Sequence, residues 1–546
     1  MTSVSSINRS AALYTPPANT AAATSGSAAT AVSTPTPSAI VTLTSAQNLP
    51  SMLASASTPL MWESKSGDPL SYLMAYNFSF QAPTGRFTGL GSAMLDQIKD
   101  GVTNISQTVQ QGVAQGVSST QANPYAGTDG TGGAGAIISA QQPSLHGVGA
   151  NQVELNITTK SGVKVSLTLD SQDNGLAIQM KADGPLSDSE RSALANLSKG
   201  FQAAIDGIAS DPPKIQLDGL TQFDPNVLAS VDLHAAVQAS GNVSQSVDFH
   251  ADAAKRTVSL SGPSGEASIS VDLSKPASWG SQAQQAKATA SYLKQFDQAS
   301  SRGHGDASLM AMFKDAFTEM NSNYGKLQPQ SALLPSITLA DQDHAMLTGL
   351  ADFSASVTQT ATSPNPMRAG EKDSFSYQTS QSTSIKGADQ SSREISQTQQ
   401  SALQARYHES DTPDIPLRLT TAQESQNYNY YTINDTASST MDMAYKKGIL
   451  VTATLSQSAS QSTRHQKYVM GHLKEDTTTP VQSSLTQDLV KTLAPDTKTD
   501  DTRTPLEQYQ RTQMLASTSD MILLQTDPSR LIAEKQALSA PTISIK

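Results

Sequence analysis

Between residues 151 and 184, apolar positions alternate with polar ones in three runs: Val153, Leu155 and Ile157, then Val163, Val165, Leu167 and Leu169, then Leu176, Ile178 and Met180. A period of two puts each set on one face of a half-buried strand and predicts a three-stranded meander. Ser161-Gly162 and Asn174-Gly175 fall between the runs, where tight turns need residues that accept positive φ. The period then changes. Leu194, Leu197, Phe201, Ile205 and Ile208 recur at helical spacing behind the capping box Ser187-Asp188-Ser189-Glu190, and Asp211-Pro212-Pro213 ends the helix. Short strands are predicted near 231–237, 243–249, 257–260 and 269–273, the last two joined by a turn at Gly262-Pro263 and Gly265. Helices follow near 281–300, at 307–321 behind the cap Asp306 with Leu309, Phe313, Phe317 and Met320 inward, and at 342–358.

Upstream, Leu95, Ile98, Val102, Ile105, Val109, Val113 and Val117 predict one amphipathic helix over 89–118. Gly101, Gly112 and Gly116 each weaken it by about 1 kcal/mol relative to Ala, so packing must hold it. Its polar face carries only Asp96, Lys99 and Asp100, which favours docking on protein over the basic belt of a membrane-surface helix. Beyond residue 371 the strands become polar: Phe375, Tyr377, Thr379 and Gln381 alternate, as do Leu417 and Leu419, and Tyr428, Tyr430, Tyr431 and Ile433 suggest another strand. So do Ile449-Leu450-Val451, Ala453 and Leu455, while 390–406 also reads as helix. Residues 481–540 return to helix, with Thr504-Pro505-Leu506-Glu507 as an N-terminus and Asp527-Pro528 closing one helix and opening the next, through Leu538.

These elements predict an α+β fold of small antiparallel β-meanders packed with helices. The expected divisions are a disordered neutral leader (1–60), an amphipathic helical segment (61–120), a Gly-rich linker (121–150) and an α+β domain (151–335). A helix and linker (336–366), a polar β-rich segment (367–475) and a helical C-terminal region (476–546) follow. Up to Trp62 the only charged side chain is Arg9, and Pro16, Pro17, Pro35 and Pro37 oppose helix there.

Composition narrows the function. Charged residues make up 15% of the chain, against about 25% in ordinary globular proteins. Hydrophobic residues make up 37%, so small cores and polar strands are expected. A net charge of −11, with no basic run longer than Lys446-Lys447, opposes nucleic acid and anionic membrane as partners. The absence of cysteine removes disulfides, thiolate metal sites and cysteine nucleophiles, and fits an exported protein. No apolar run reaches the ~18 residues of a transmembrane helix, and no basic n-region precedes an apolar run of signal-peptide length.

Few motifs carry chemistry. Gly130-Thr131-Gly132-Gly133-Ala134-Gly135, with Glu154 beyond it, matches the dinucleotide pattern G-x-G-x-x-G. That chemistry needs a strand before the glycines and a helix after them, and Pro124, Gly127, Pro143, Gly147 and Gly149 leave room for neither, so a linker is expected. Asp170-Ser171-Gln172-Asp173-Asn174-Gly175 opens like a calcium loop, but Lys181 stands where the bidentate Glu belongs, and a hairpin turn is expected. His146, His234, His250, His304, His344, His408, His465 and His472 form no metal-binding spacing. Asp232 and Asp248 precede His234 and His250 by two residues, so each pair shares a sheet face, as structural hydrogen bonds require. Neither G-x-S-x-G nor a P-loop occurs. No catalytic, cofactor-binding or metal residue is assigned.

From Pro185 the chain reads Leu186-Ser187-Asp188-Ser189-Glu190-Arg191, the apolar helix, Leu217-Asp218-Gly219-Leu220 and Phe223-Asp224-Pro225-Asn226-Val227-Leu228. With the strands before it, residues 151–233 resemble uncharacterised proteobacterial proteins without assigned activity, which implies a Gram-negative bacterial origin and transfers no functional residue. The expected function is that of a non-enzymatic exported or envelope-associated interaction or structural protein, with protein partners and no cofactor, extracytoplasmic or secreted by a route without a signal peptide. Two alternatives stay open. One is a flagellar or type III export substrate; the other is a cytosolic NAD-dependent dehydrogenase resting on the glycine motif.

Overall fold

The computed structural model describes residues 60–63, 67–111, 145–147, 149–239, 243–324, 337–412, 415–493 and 504–539, all within one compact unit, Ser51–Lys546. Residues 1–59 of the expected leader (1–60) and the glycine motif at 130–135 lie outside the described residues.

One antiparallel sheet of fifteen strands organises the described chain. The strands are β1 Leu60–Trp62, β2 Asn104–Gln111, β3 Asn151–Thr159, β4 Lys164–Gln172, β5 Gly175–Ala182, β6 Leu228–Ala239, β7 Val243–Asp252 and β8 Lys255–Gly262. They continue with β9 Gly265–Asp272, β10 Asp352–Gln359, β11 Ser374–Asp389, β12 Ser392–Ser410, β13 Tyr428–Lys446, β14 Ile449–Val469 and β15 His472–Asp488. In space the order is β1-β2-β5-β4-β3-β6, then β7 to β15 in sequence. Mixed α and β content is therefore as expected, but the small separate meanders are not: a half-buried strand with an unpaired edge gains by adding a neighbour, and here pairing continues through every helical insertion. The last hairpins turn through Lys447-Gly448 and Met470-Gly471, with all four residues at positive φ, the two-residue geometry that matches strand twist.

The helices are α1 Pro69–Phe80, α2 Leu90–Lys99, α3 Asp188–Asn196, α4 Ser198–Ile208, α5 Asp218–Thr221, α6 Gln282–Gly303, α7 Ala307–Met320, α8 Asp341–Ala345, α9 Pro505–Met521 and α10 Pro528–Ser539. The Ser187 capping box forms as predicted, with Glu190 bonded to the Ser187 amide and hydroxyl, and Thr504 and Glu507 form a second. Phe201, Phe296, Phe313 and Phe317 bury themselves with Leu155, Leu233, Val247 and Phe353 in the main core. The sheet's other side chains on these strands are polar and stay partly or fully exposed, as an antiparallel sheet with one covered face allows.

Four expectations fail at the level of elements. The helix read over 89–118 ends at Lys99, where Gly101 takes φ +89°, and Asn104–Gln111 becomes β2 against β5. Ile105 and Val109 lie four apart, a spacing that fits both a helix face and period two, and pairing with β5 decides. The helix read over 342–358 is confined to α8, because Phe353, Ala355 and Val357 alternate in β10 between β9 and β11. The helical alternative for 390–406 is strand β12. Strand also persists to Asp488 in β15, well into the expected helical C-terminus, because β14 is long enough to pair with it throughout. Across the C-terminal half an extended strap, 522–527, separates α9 from α10.

Candidate interaction surface

The open face is built by register. Starting at Glu154 on β3, one row of outward residues runs His234, Asp248, Ser259, Ser268, Ser356, Gln378, Ala402, Thr436, Ser460 and Gln482. The row beside it continues Asp232, His250, Thr257, Ser270, Ser354, Ser380, Gln400, Ser438, Ser458 and Ser484. The face thus has two territories, an acid–histidine quarter on β6 and β7 and a neutral field from β9 onward.

In the first quarter the aspartates and histidines share a face as predicted, but neither histidine bonds the aspartate two residues before it: each bonds one across the strand pair, and His250 also bonds Asp252 on its own strand. His234 Nδ1 lies 2.6 Å from Asp248, and His250 Nδ1 lies 2.6 Å from Asp232 with Nε2 3.1 Å from Asp252. Partial burial pulls His250 down, but the hydrogen bonds and charges of Asp232 and Asp252 outweigh it and hold the imidazole above its ordinary range. Both ring nitrogens of His250 face carboxylates, so it has no free nitrogen to act as a base toward a nucleophile. The pairs lock β6 to β7.

The neutral field is densest on β11 to β15. Ser376, Gln378, Ser380 and Ser382 align with Gln404, Ala402, Gln400 and Thr398, then with Asn434, Thr436, Ser438 and Thr440. Ser462, Ser460, Ser458 and Ser456 follow, and then Pro480, Gln482, Ser484 and Thr486. No member of this block is charged, and at strand and residue spacing it covers roughly 20 Å by 20 Å. Hydroxyls bond across strands, with Ser438 to Ser458 at 2.8 Å and Thr398 to Thr440 at 3.3 Å. Sequence reading marks these residues as the polar half of an alternation; their alignment into an uncharged block appears only once the register is known.

Other predicted residues are structural. Asp170 is fully buried and accepts the amides of Gly147 (2.8 Å) and Gly149 (3.3 Å), with burial raising its pKa; the would-be calcium loop is a β4–β5 hairpin and Lys181 sits in β5. Among the described residues no three His, Cys, Asp or Glu side chains are placed to hold a metal. Glu154 sits within β3 on the open face, away from a strand end where a ribose would be held. His146 Nε2 lies 3.1 Å from Thr108, and His465 Nε2 lies 2.8 Å from Asn429. His304 adopts φ 54° after α6, and its ring stacks on Tyr407, which stacks on Tyr431 and it on His465, so their faces meet each other. Half-buried His344 on α8 is lowered by desolvation, and His472 reaches Gln423.

One arrangement has no sequence signal. His408, 1% exposed in its side chain, sits between Asp373 (2.6 Å) and Glu371 (3.2 Å), and Tyr428 donates to the same Glu371 at 2.7 Å. With Arg368 over Tyr468 at 4.4 Å, this cluster pins the segment before β11 to the ends of β12 to β14. Its members lie too far apart in sequence for spacing to reveal them.

A groove of about 880 Å³ near the α4 terminus is lined by Asn151, Gln238, Gln245, Met312 and the β8–β9 turn; among the described residues its titratable lining groups are Asp173 and Asp211. No family model, curated protein or solved structure matches the chain. Among the described residues, no helix is long and apolar enough to cross a membrane.

Proposed function

We propose that this chain is a non-enzymatic interaction protein that works outside the cytoplasm and engages a protein partner through the open face of β9 to β15. The uncharged block on β11 to β15 carries the reading. A chain with net charge −11 leaves charge off this one broad field, where ordinary solvated strands carry Lys and Glu freely. Close approach of a partner there desolvates hydroxyls and amides but no ions, a far smaller penalty. The charge-poor leader and the cysteine-free composition support export by a route without a hydrophobic signal. The resemblance of residues 151–233 to uncharacterised proteobacterial proteins supports a Gram-negative host.

The test is a pair of charged substitutions on the field, Ser380→Lys with Ser438→Lys. The variant retains the wild-type circular dichroism, with only a small fall in Tm from the lost Ser438–Ser458 bond because both positions are half-exposed on the open face, and loses co-purification of the envelope or secreted partner from the native host. A variant that keeps the same co-purified proteins overturns the reading.

A further inference from the structure

On the opposite side of the sheet, a cavity of about 240 Å³ lies between the C-terminal half of α6, the covered face of β11 to β14, and the strap 522–527. The strap forms its lid. Gln295 on α6 donates to the Leu524 carbonyl at 3.2 Å, Gln461 on β14 donates to the Thr526 carbonyl at 3.1 Å, and the Thr526 hydroxyl reaches Gln298 at 3.4 Å.

The walls mix polar side chains with Ala299, Leu403 and Ala437, and the one cation among them is paired. Arg302 meets Asp435 with Nε to Oδ2 at 2.5 Å and Nη2 to Oδ1 at 3.0 Å, and Nη2 also donates to Thr463. Asp527 is occupied at the start of α10, accepting the Ser529 amide at 2.9 Å. An anionic ligand would find no uncompensated cation in the wall, because Arg302 is paired with Asp435. Two lining groups are left unserved: the side-chain oxygen of Gln295, a residue 6% exposed, and the hydroxyl of Tyr377, 2% exposed, have no hydrogen-bond partner. A buried carbonyl of this kind costs about 1–3 kcal/mol unless a donor reaches it. The neighbouring Gln298 and Gln461 amides and the Ser401 and Thr526 hydroxyls offer donors and acceptors side by side. The complement of such a wall is a group that both donates and accepts, a hydroxyl. The volume falls below the ~300–1,000 Å³ of drug-sized sites, which limits the ligand to a single small ring or an open-chain polyol.

We propose that this cavity is a binding site for a neutral, polyhydroxylated small molecule of monosaccharide size, one hydroxyl of which donates to Gln295 beneath the strap. The site lies on the covered face and is independent of the partner-binding reading of the open face.

Full-length protein is titrated with glycerol, D-glucose and myo-inositol as probes, with sucrose as a polyol too large for the cavity. Polyols stabilise proteins non-specifically by exclusion, so the readout is the excess over sucrose at matched concentration. At least one probe is expected to give saturable NMR saturation transfer and a saturable rise in Tm beyond the sucrose effect. Two variants are compared: Gln295→Met, which removes the acceptor, and Ser401→Leu, which fills space from the sheet side. Each is expected to lower the affinity of that probe at least tenfold. Protection of the 522–527 amides from exchange is expected to rise with the probe in the wild type only. If no probe exceeds sucrose in the wild type, or if a probe binds both variants with unchanged affinity, the cavity holds water alone and the proposal fails.

Discussion

Glu319 on α7 is a carboxyl held far from its ordinary setting. Desolvation pushes its pKa up to about 7, the charge of Asp218 adds to the rise, and one carboxylate oxygen is buried without a partner. In the unfolded chain the same group titrates near 4.3. The folded state holds the proton more tightly, so the favourable contribution is present in full below pH ~4.3 and is lost as pH rises through about 7. Glu319→Gln removes that loss. Its Tm is expected to match wild type at pH 4 and to exceed it by about 2 °C at pH 8, read by calorimetry across the range. A constant offset at all pH values would show that the carboxyl does not titrate there. Nearby, Arg256 is 1% exposed and meets no carboxylate; it donates to the carbonyls of Met320 and Ser322 and so closes the C-terminus of α7.

At the scale of elements, the strap between α9 and α10 shows what polar strands do in this fold. Gln381, Gln399, Ser439 and Gln457 form one row on the covered face, where apolar side chains would be expected. Gln399 donates to the Ile522 carbonyl at 2.8 Å and accepts the Leu524 amide at 3.1 Å, Ser439 donates to Ile522 at 2.9 Å, and Gln457 donates to Met521 and Leu523. The strap crosses the strands with its backbone groups satisfied by sheet side chains in place of a ladder. Gln457→Leu leaves two of those carbonyls without that donor and is expected to destabilise by about 1–3 kcal/mol, with exchange protection falling first in 521–526. Uniform loss of protection across the sheet would contradict this local role.

Sequence periodicity captures elements whose two faces differ in polarity. The strands at 153–180, the caps Ser187, Asp306 and Thr504, and the buried faces of α4 and α7 all form where alternation and helical spacing place them. It misses elements whose faces do not differ. β15 runs Leu473-Lys474-Glu475-Asp476-Thr477 with nearly every residue exposed, so no alternation marks it. The buried role of the glutamine row has no sequence signal beyond the alternation that ends at Gln381, because its partners are backbone groups of a segment far along the chain.

At the scale of the whole molecule, the sheet divides its work between two faces. One buries the core and the strap; the other runs from an acid–histidine quarter into an uncharged field that ends at the edge strand β15. That edge is guarded by Pro480, which has no amide to donate, and by Lys474, Glu475 and Asp476, the usual devices against edge-to-edge pairing. With that edge guarded, the proposed partner site is the open face. Strands β9, β11, β13 and β14 were legible in part from sequence, whereas 342–358 over β10 and the C-terminal part of β15 read as helix and 390–406 over β12 also did; the field was not legible at all, because it exists only when β9 to β15 align in one register.

The most direct measurement places a photo-crosslinking amino acid at Ser458, at the centre of the field, and at Tyr509, an exposed position on α9, in the native host. The account predicts a discrete protein adduct from Ser458 in the envelope or secreted fraction, lost in the Ser380→Lys/Ser438→Lys background, and none from Tyr509. An adduct from Tyr509 with none from Ser458, or recovery of both proteins solely in the cytosol, would contradict it.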